Sequence, residues 1–204
     1  MAVEAQSNEI PAVRALLSLL SLKGCTVTLD ALHAQRETAQ AVLDQGASYV
    51  LALKGNQGTL YEDVRTLLDD AVLPVQDRAQ TMEADHGRIE TREAHLVIDL
   101  AWLQEQHHWP GLACIGKITA TREDKATGAV QTQDRYYLLS RVMPAREFLE
   151  LVRAHWTIEN SLHWVLDVVL REDYARARKD HAPANLAILR RMALNTIKRN
   201  QDKG

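Results

Sequence analysis

The chain has 204 residues, 46% hydrophobic and 25% charged, with a formal net charge of −3. This balance suits one globular domain with a substantial core, or a domain carrying a sizeable insertion. It argues against a simple basic nucleic-acid coat, and no stretch has the continuous apolar length a bilayer span needs.

The start MAVEAQSNEI has neither the basic region nor the apolar core of a secretory signal, so a cytoplasmic location is expected. Cys25 and Cys114 lie far apart without a CxxC or Cys/His pattern, which suggests buried thiols rather than a disulfide framework or a structural zinc.

Residues 10 to 21, IPAVRALLSLLS, carry helical periodicity, and Lys23-Gly24 closes that helix before the short β-branched run CTVTLD, which ends in Asp30. AQRETAQAVLDQG reads as a second helix with Gly46 past its end. SYVLALK is an apolar strand, and GNQGTLYEDVRTLLDDA a tight turn and helix. GNQGTL has neither the GxGxxG pattern nor the Lys-Ser/Thr of a phosphate loop. The alternation predicts a layered α/β core with parallel strands, and places Asp30 at the carboxyl end of its strand, where open α/β sheets gather ligands.

The middle changes character. RIETREAHLVID, LACIGKITATRED and QDRYYLLSR are rich in β-branched and aromatic residues, separated by WPG and the TGAVQTQ turn region, and together predict a β-rich insertion. The adjacent His107 and His108 precede a Pro-Gly loop and are read as an exposed turn. From Ala145 the chain returns to helix, and Pro183 suits the start of the last one. Three segments follow: 1–75, the first part of the layered α/β core; 76–143, the β-rich insertion; and 144–204, the helical part of the core.

Charge is unevenly distributed. Residues 1 to 134 hold 11 Lys and Arg against 19 Asp and Glu, whereas residues 135 to 204 hold 13 against 8. Arg171, Arg176, Arg178, Lys179, Arg190, Arg191 and Lys198 fall in the last segment. They are either phosphate contacts for DNA or the solvated exterior of helices.

His155, Glu159, His163 and Asp167 recur every four residues, so one helix would stack them along a stripe beside Ile158, Leu162, Val165, Leu166 and Val169. A carboxylate flanked by two imidazoles could hold a divalent metal or tune a proton. A solvated face with ion pairs explains the same spacing. The internal Glu of HExxH is missing, which weakens a zinc-protease reading.

The ordered stretches VTLDALHAQ, LALKGNQ, HGRIETRE, WPGL, RYYLLS, HWTIENSLHWVLDV and APANLAILRRMALNTIKR resemble the ISAs group of bacterial insertion-sequence transposases, which includes the H-repeat-associated proteins. The likeness runs nearly the whole chain. It implies an RNase H-like catalytic domain with a β-rich insertion, in which Asp, Asp and Glu hold two divalent cations, Mg²⁺ or Mn²⁺, to cleave and transfer DNA strands. Asp30 matches the second Asp and Glu159 the Glu of the HWxIEN motif. His155, Asn160 and His163 would be auxiliary, orienting Glu159 or contacting DNA.

Two departures stand out. Related transposases carry Arg four residues before the Glu and Lys seven after it, where this chain has His155 and Leu166. The family's first Asp is expected upstream of SNEI, so the chain is expected to be truncated and inactive by itself. DNA at the element ends and at the target would be the partner, with a homodimer as a further expectation and no membrane. The alternatives are a DNA-binding or regulatory remnant without catalysis, and an unrelated metal hydrolase built on His155, Glu159 and His163.

Overall fold

The structure, a computed structural model, describes residues 9–69, 76–85, 87–158, 161–162 and 164–201. These fall into two compact units, residues 3–152 and 153–204.

The first unit is an α/β layer structure on a six-stranded sheet. Its helices are α1 (Glu9–Leu19), α2 (Arg36–Asp44), α3 (Thr59–Asp69) and α4 (Ala101–His107), with the start of α5 (Ala145–Ile158). The strands are β1 (Thr26–Leu29), β2 (Ser48–Leu53), β3 (Asp77–Asp85), β4 (Arg88–Val97), β5 (Cys114–Asp124) and β6 (Val130–Leu139), ordered β1-β2-β6-β5-β4-β3. β1 and β2 are parallel, with Leu29 opposite Leu51, and the other neighbours are antiparallel. The expected parallel core is therefore a pair of strands at one end of a mixed sheet. The architecture accords with the RNase H-like class.

SYVLAL reads as a continuous apolar run because β2 is covered on both faces. Tyr49, Leu51 and Leu53 join Leu17, Val42, Val64 and Leu103 in the core under α1 to α4. Val50 points the other way, with Leu96, Tyr137, Leu139 and Phe148, under α5. The α5 residues Ala145, Phe148, Leu149 and Val152 are buried at spacings that place them on one helix face. Gly116 of β5 lies on that side, and a Cβ there would fall 2.7 Å from both Cε1 and Cζ of Phe148.

Several local expectations are corrected. His107 is buried and its Nε2 lies 2.7 Å from Asp63 Oδ2, so only His108, exposed just past α4, fits the exposed-turn expectation. The loop beyond it is held by Arg36, which donates to the carbonyls of His107 and, at 3.0 Å, His108, and by Tyr49, whose hydroxyl donates to Pro110 at 2.6 Å. Gly111 has φ +61°, a left-handed conformation that favours glycine, and a Cβ there would make the Leu43 side chain shift, with Cδ1 at 2.6 Å. Cys25 is exposed rather than buried; burial pushes the Cys114 thiol up to about 12.

In the second unit, a π-helical turn spans Val165–Val169 and α6 spans Ala182–Gln201. Among the described residues of the expected four-residue stripe, His155 lies on α5 and Asp167 in the π-helical turn, where an i to i+5 pitch rotates side chains differently from an α-helix; Glu159 and His163 lie outside the described residues. The companion apolar stripe is broken, with Leu166 buried but Ile158 and Val169 about half exposed, at 49% and 58%.

Candidate metal site at the carboxyl edge of the sheet

β1 and β2 run the same way, so their carboxyl ends open on one edge. Asp30 follows Leu29 directly, in extended backbone (φ −67°, ψ 163°), and heads the 3₁₀ turn Ala31–His33. Its residue is exposed and its carboxylate makes no capping bond to that turn. The placement is the one expected from CTVTLD.

The turn after β2 reaches over to the same place. Gly55–Gln57 forms a second 3₁₀ turn. From it Asn56 Nδ2 donates to the Ala31 carbonyl at 2.9 Å, and Gln57 Nε2 donates to the Ala34 carbonyl at 2.6 Å. Reading GNQGTL as a tight turn foresaw the backbone but not these two side chains. The sign was there: amide residues directly after the strand that neighbours β1.

Glu159, Asn160 and His163 lie outside the described residues. His155 is half-buried on α5 and Asp167 lies in the π-helical turn. No group of three or more His, Cys, Asp or Glu side chains gathers as a metal site among the described residues.

The basic residues divide into two sets. Arg171, Arg176, Arg178 and Lys179 are exposed on the irregular segment before α6, Arg171 with a left-handed backbone at φ 51°. The other three are engaged within their unit. Arg190 Nε donates to the Leu170 carbonyl at 3.1 Å, Arg191 lies 3.6 Å from Glu172, and Lys198 Nζ donates to the Ser161 carbonyl at 3.0 Å.

Residues 1–196 match the family model described as the transposase DDE domain. The chain belongs to that family. It is 39% identical to the protein named "Putative transposase YncI" of Escherichia coli O157:H7, over 98% of this chain and 52% of the relative. It is 33% identical to the "H repeat-associated putative transposase YhhI" of Escherichia coli strain K12, over 94% of this chain and 52% of the relative. This DDE chain thus spans about half the length of the curated relatives it matches. The DDE family generally uses divalent metal ions, and an exposed carboxylate at the edge of a sheet is a hard oxygen donor of the type such ions take. None of the described helices is long and apolar enough to cross a membrane.

A second polar cluster in the DDE chain lies away from Asp30. Lys117 Nζ sits 2.6 Å from Asp69 and 3.1 Å from Asp134, and the Tyr136 hydroxyl donates to both Asp69 oxygens. Burial pulls the Lys117 ammonium down, but its bonds to Asp69 and Asp134 more than offset this and hold it above its ordinary value. The cluster fastens the end of α3 to β5 and β6.

Nearby, burial and then Arg78 lower the His95 imidazole below its usual 6.5, against an opposing pull from Glu93. The unfolded imidazole therefore binds a proton more readily than the folded one. Stability from the neutral ring is complete above about pH 6.5 and is lost as pH falls through that value toward the lower folded pKa. Urea unfolding at pH 7.5, 6.5 and 5.5 should show a shallower acid decline for His95→Gln than for the wild type. Parallel declines would show that His95 contributes nothing to the acid sensitivity.

Proposed function

We propose that this chain is the strand-cleaving domain of an insertion-sequence transposase. In this reading Asp30 and Glu159 hold Mg²⁺ or Mn²⁺, and the substrates are the element's ends and its target DNA. The observation that carries the reading is the position of Asp30 at the carboxyl edge of a parallel strand pair, in a chain matched along residues 1–196 to the transposase DDE domain.

Two cations in such a site, when bound, activate an oxygen nucleophile and stabilise the oxygen that leaves phosphorus. Asp30 supplies a rigidly based carboxylate to that chemistry, because its backbone continues a strand whose partner is buried on both faces. Glu159 supplies the second carboxylate, His155 and His163 orient it or meet substrate phosphate, and Asn160 helps place the DNA. Work in the cytoplasm and pairing with a second copy fit the same reading; the exposed Ile188, Leu189, Met192 and Ile197 of α6 give such a copy apolar surface to cover.

Duplex binding tests the DNA half of this reading. Arg176 and Arg178 have exposed guanidinium groups on the segment before α6, and each phosphate contact contributes about one unit to the slope of log affinity against log salt. Arg176→Ala combined with Arg178→Ala should flatten that slope by about two, whereas Arg190 and Arg191 already have partners inside the unit. Salt-independent or absent binding would assign the basic segment to a solvated exterior. Salt-dependent binding without Asp30-dependent cation binding would favour a DNA-binding remnant.

A further inference from the structure

We infer that Asn56 and Gln57 are positioning residues of the Asp30 site, which rests on the metal reading of Asp30 given above. The direction in which Asp30 projects is set by β1 on one side and by the Ala31–His33 turn on the other. That turn is a single 3₁₀ turn closed by His33 N donating to Asp30 O at 2.9 Å and Ala34 N donating to Ala31 O at 3.3 Å. Such turns have poor hydrogen-bond geometry and are weak in isolation.

A further restraint comes from the neighbouring strand. Asn56 grips the carbonyl of Ala31, the residue immediately after Asp30, and Gln57 grips the carbonyl of Ala34, one residue beyond the turn. Ala31 and Ala34 are both buried; Asn56 adds a second donor to the Ala31 carbonyl beside Ala34 N, and Gln57 supplies a donor to the Ala34 carbonyl. The grip is firmly based: Gln57 N donates to Lys54 O at 3.0 Å, and β2 just before it lies within the sheet between β1 and β6. The two turns are thereby held as one edge, and a cation ligand on the first is oriented by amides on the second. Outer partners of this kind generally change cation affinity when removed.

The test uses the full 204-residue chain and Mn²⁺ alone, titrated by electron paramagnetic resonance well below the unfolding temperature. Asn56→Ala with Gln57→Met should raise the half-saturating Mn²⁺ concentration about 10- to 100-fold. Hydrogen exchange at the amides of His33 and Ala34 should quicken in the same variant. Asn56→Ala, at an exposed position, provides the same readouts if the double variant folds poorly, with a smaller shift in the same direction. A merely structural role would lower the unfolding temperature and leave the Mn²⁺ midpoint in place. If Asp30→Asn removes binding while the Asn56 and Gln57 variants stay within about twofold of the wild type, the positioning inference is overturned and the metal reading stands. If Asp30→Asn leaves Mn²⁺ binding intact, the metal reading fails and the inference goes with it.

Discussion

Asp30→Asn should raise the half-saturating Mn²⁺ concentration at least about a hundredfold, more than the loss of an outer partner does, while the unfolding midpoint moves by no more than about 3 °C. The contrast follows from where the residue sits. Asp30 is exposed at a strand end, so an isosteric amide there costs the fold little. It removes a full negative charge from a hard cation, however, and an amide oxygen replaces that charge poorly. Glu159→Gln should have the same sign in the same titration, since the proposed site takes charge from both. If both variants bind Mn²⁺ as the wild type does, the carboxylates of this chain do not form a cation site. Comparing Zn²⁺ with Mn²⁺ adds discrimination, because a site built on His155 and His163 would prefer the softer ion.

The largest expected effect on stability lies at the contact between β5 and α5. Phe148 is fully buried, packs edge to face against Tyr137 at a centroid distance of 5.3 Å, and rests directly over Gly116. Phe148→Ala should cost about 3 to 5 kcal/mol. Gly116→Ala should cost about 1 to 3 kcal/mol by the opposite route, since its methyl group needs space already held by the ring and Leu96 leaves a gap of only 3.1 Å on the other side. The two defects should partly cancel. Gly116→Ala in a Phe148→Leu background should cost clearly less than in the wild type, as measured by urea denaturation followed by circular dichroism. Strict additivity would mean that the ring and the strand do not share the space the geometry assigns them.

Much of the fold could be read from hydrophobic pattern, and the misses have physical reasons. IPAVRALLSLLS, AQRETAQAVLDQG, SYVLALK and GNQGTLYEDV place α1, α2, β2 and α3 to within a few residues, because each segment has one face or both faces in a core. β3 escapes such reading: DRAQTMEAD is an edge strand exposed along most of its length, so nothing in its pattern distinguishes it from a loop. α4 is too short, at seven residues, to display a helical period. The burial of His107 depends on Asp63, 44 residues earlier, a pairing that local spacing cannot reveal. At the candidate site, Asp30 was legible because a strand-terminal carboxylate has a positional meaning. Asn56 and Gln57 were not, since their hydrogen bonds cross between loops about 25 residues apart.

The order β1-β2-β6-β5-β4-β3 also bears on how the chain is made. The edge of β2 that faces away from β1 is closed by β6, with Leu53 opposite Tyr136, more than 80 residues later in the chain. On the ribosome, an apolar strand of the Asp30 segment therefore emerges and waits with one side open through the synthesis of three intervening strands and two helices. Non-local pairing of this kind is slow, and an unpaired apolar edge invites association with other nascent chains. The meander from β3 to β6 is thus part of the folding pathway of the Asp30 edge, and a deletion that trims it would leave β2 permanently in its nascent, adhesive state.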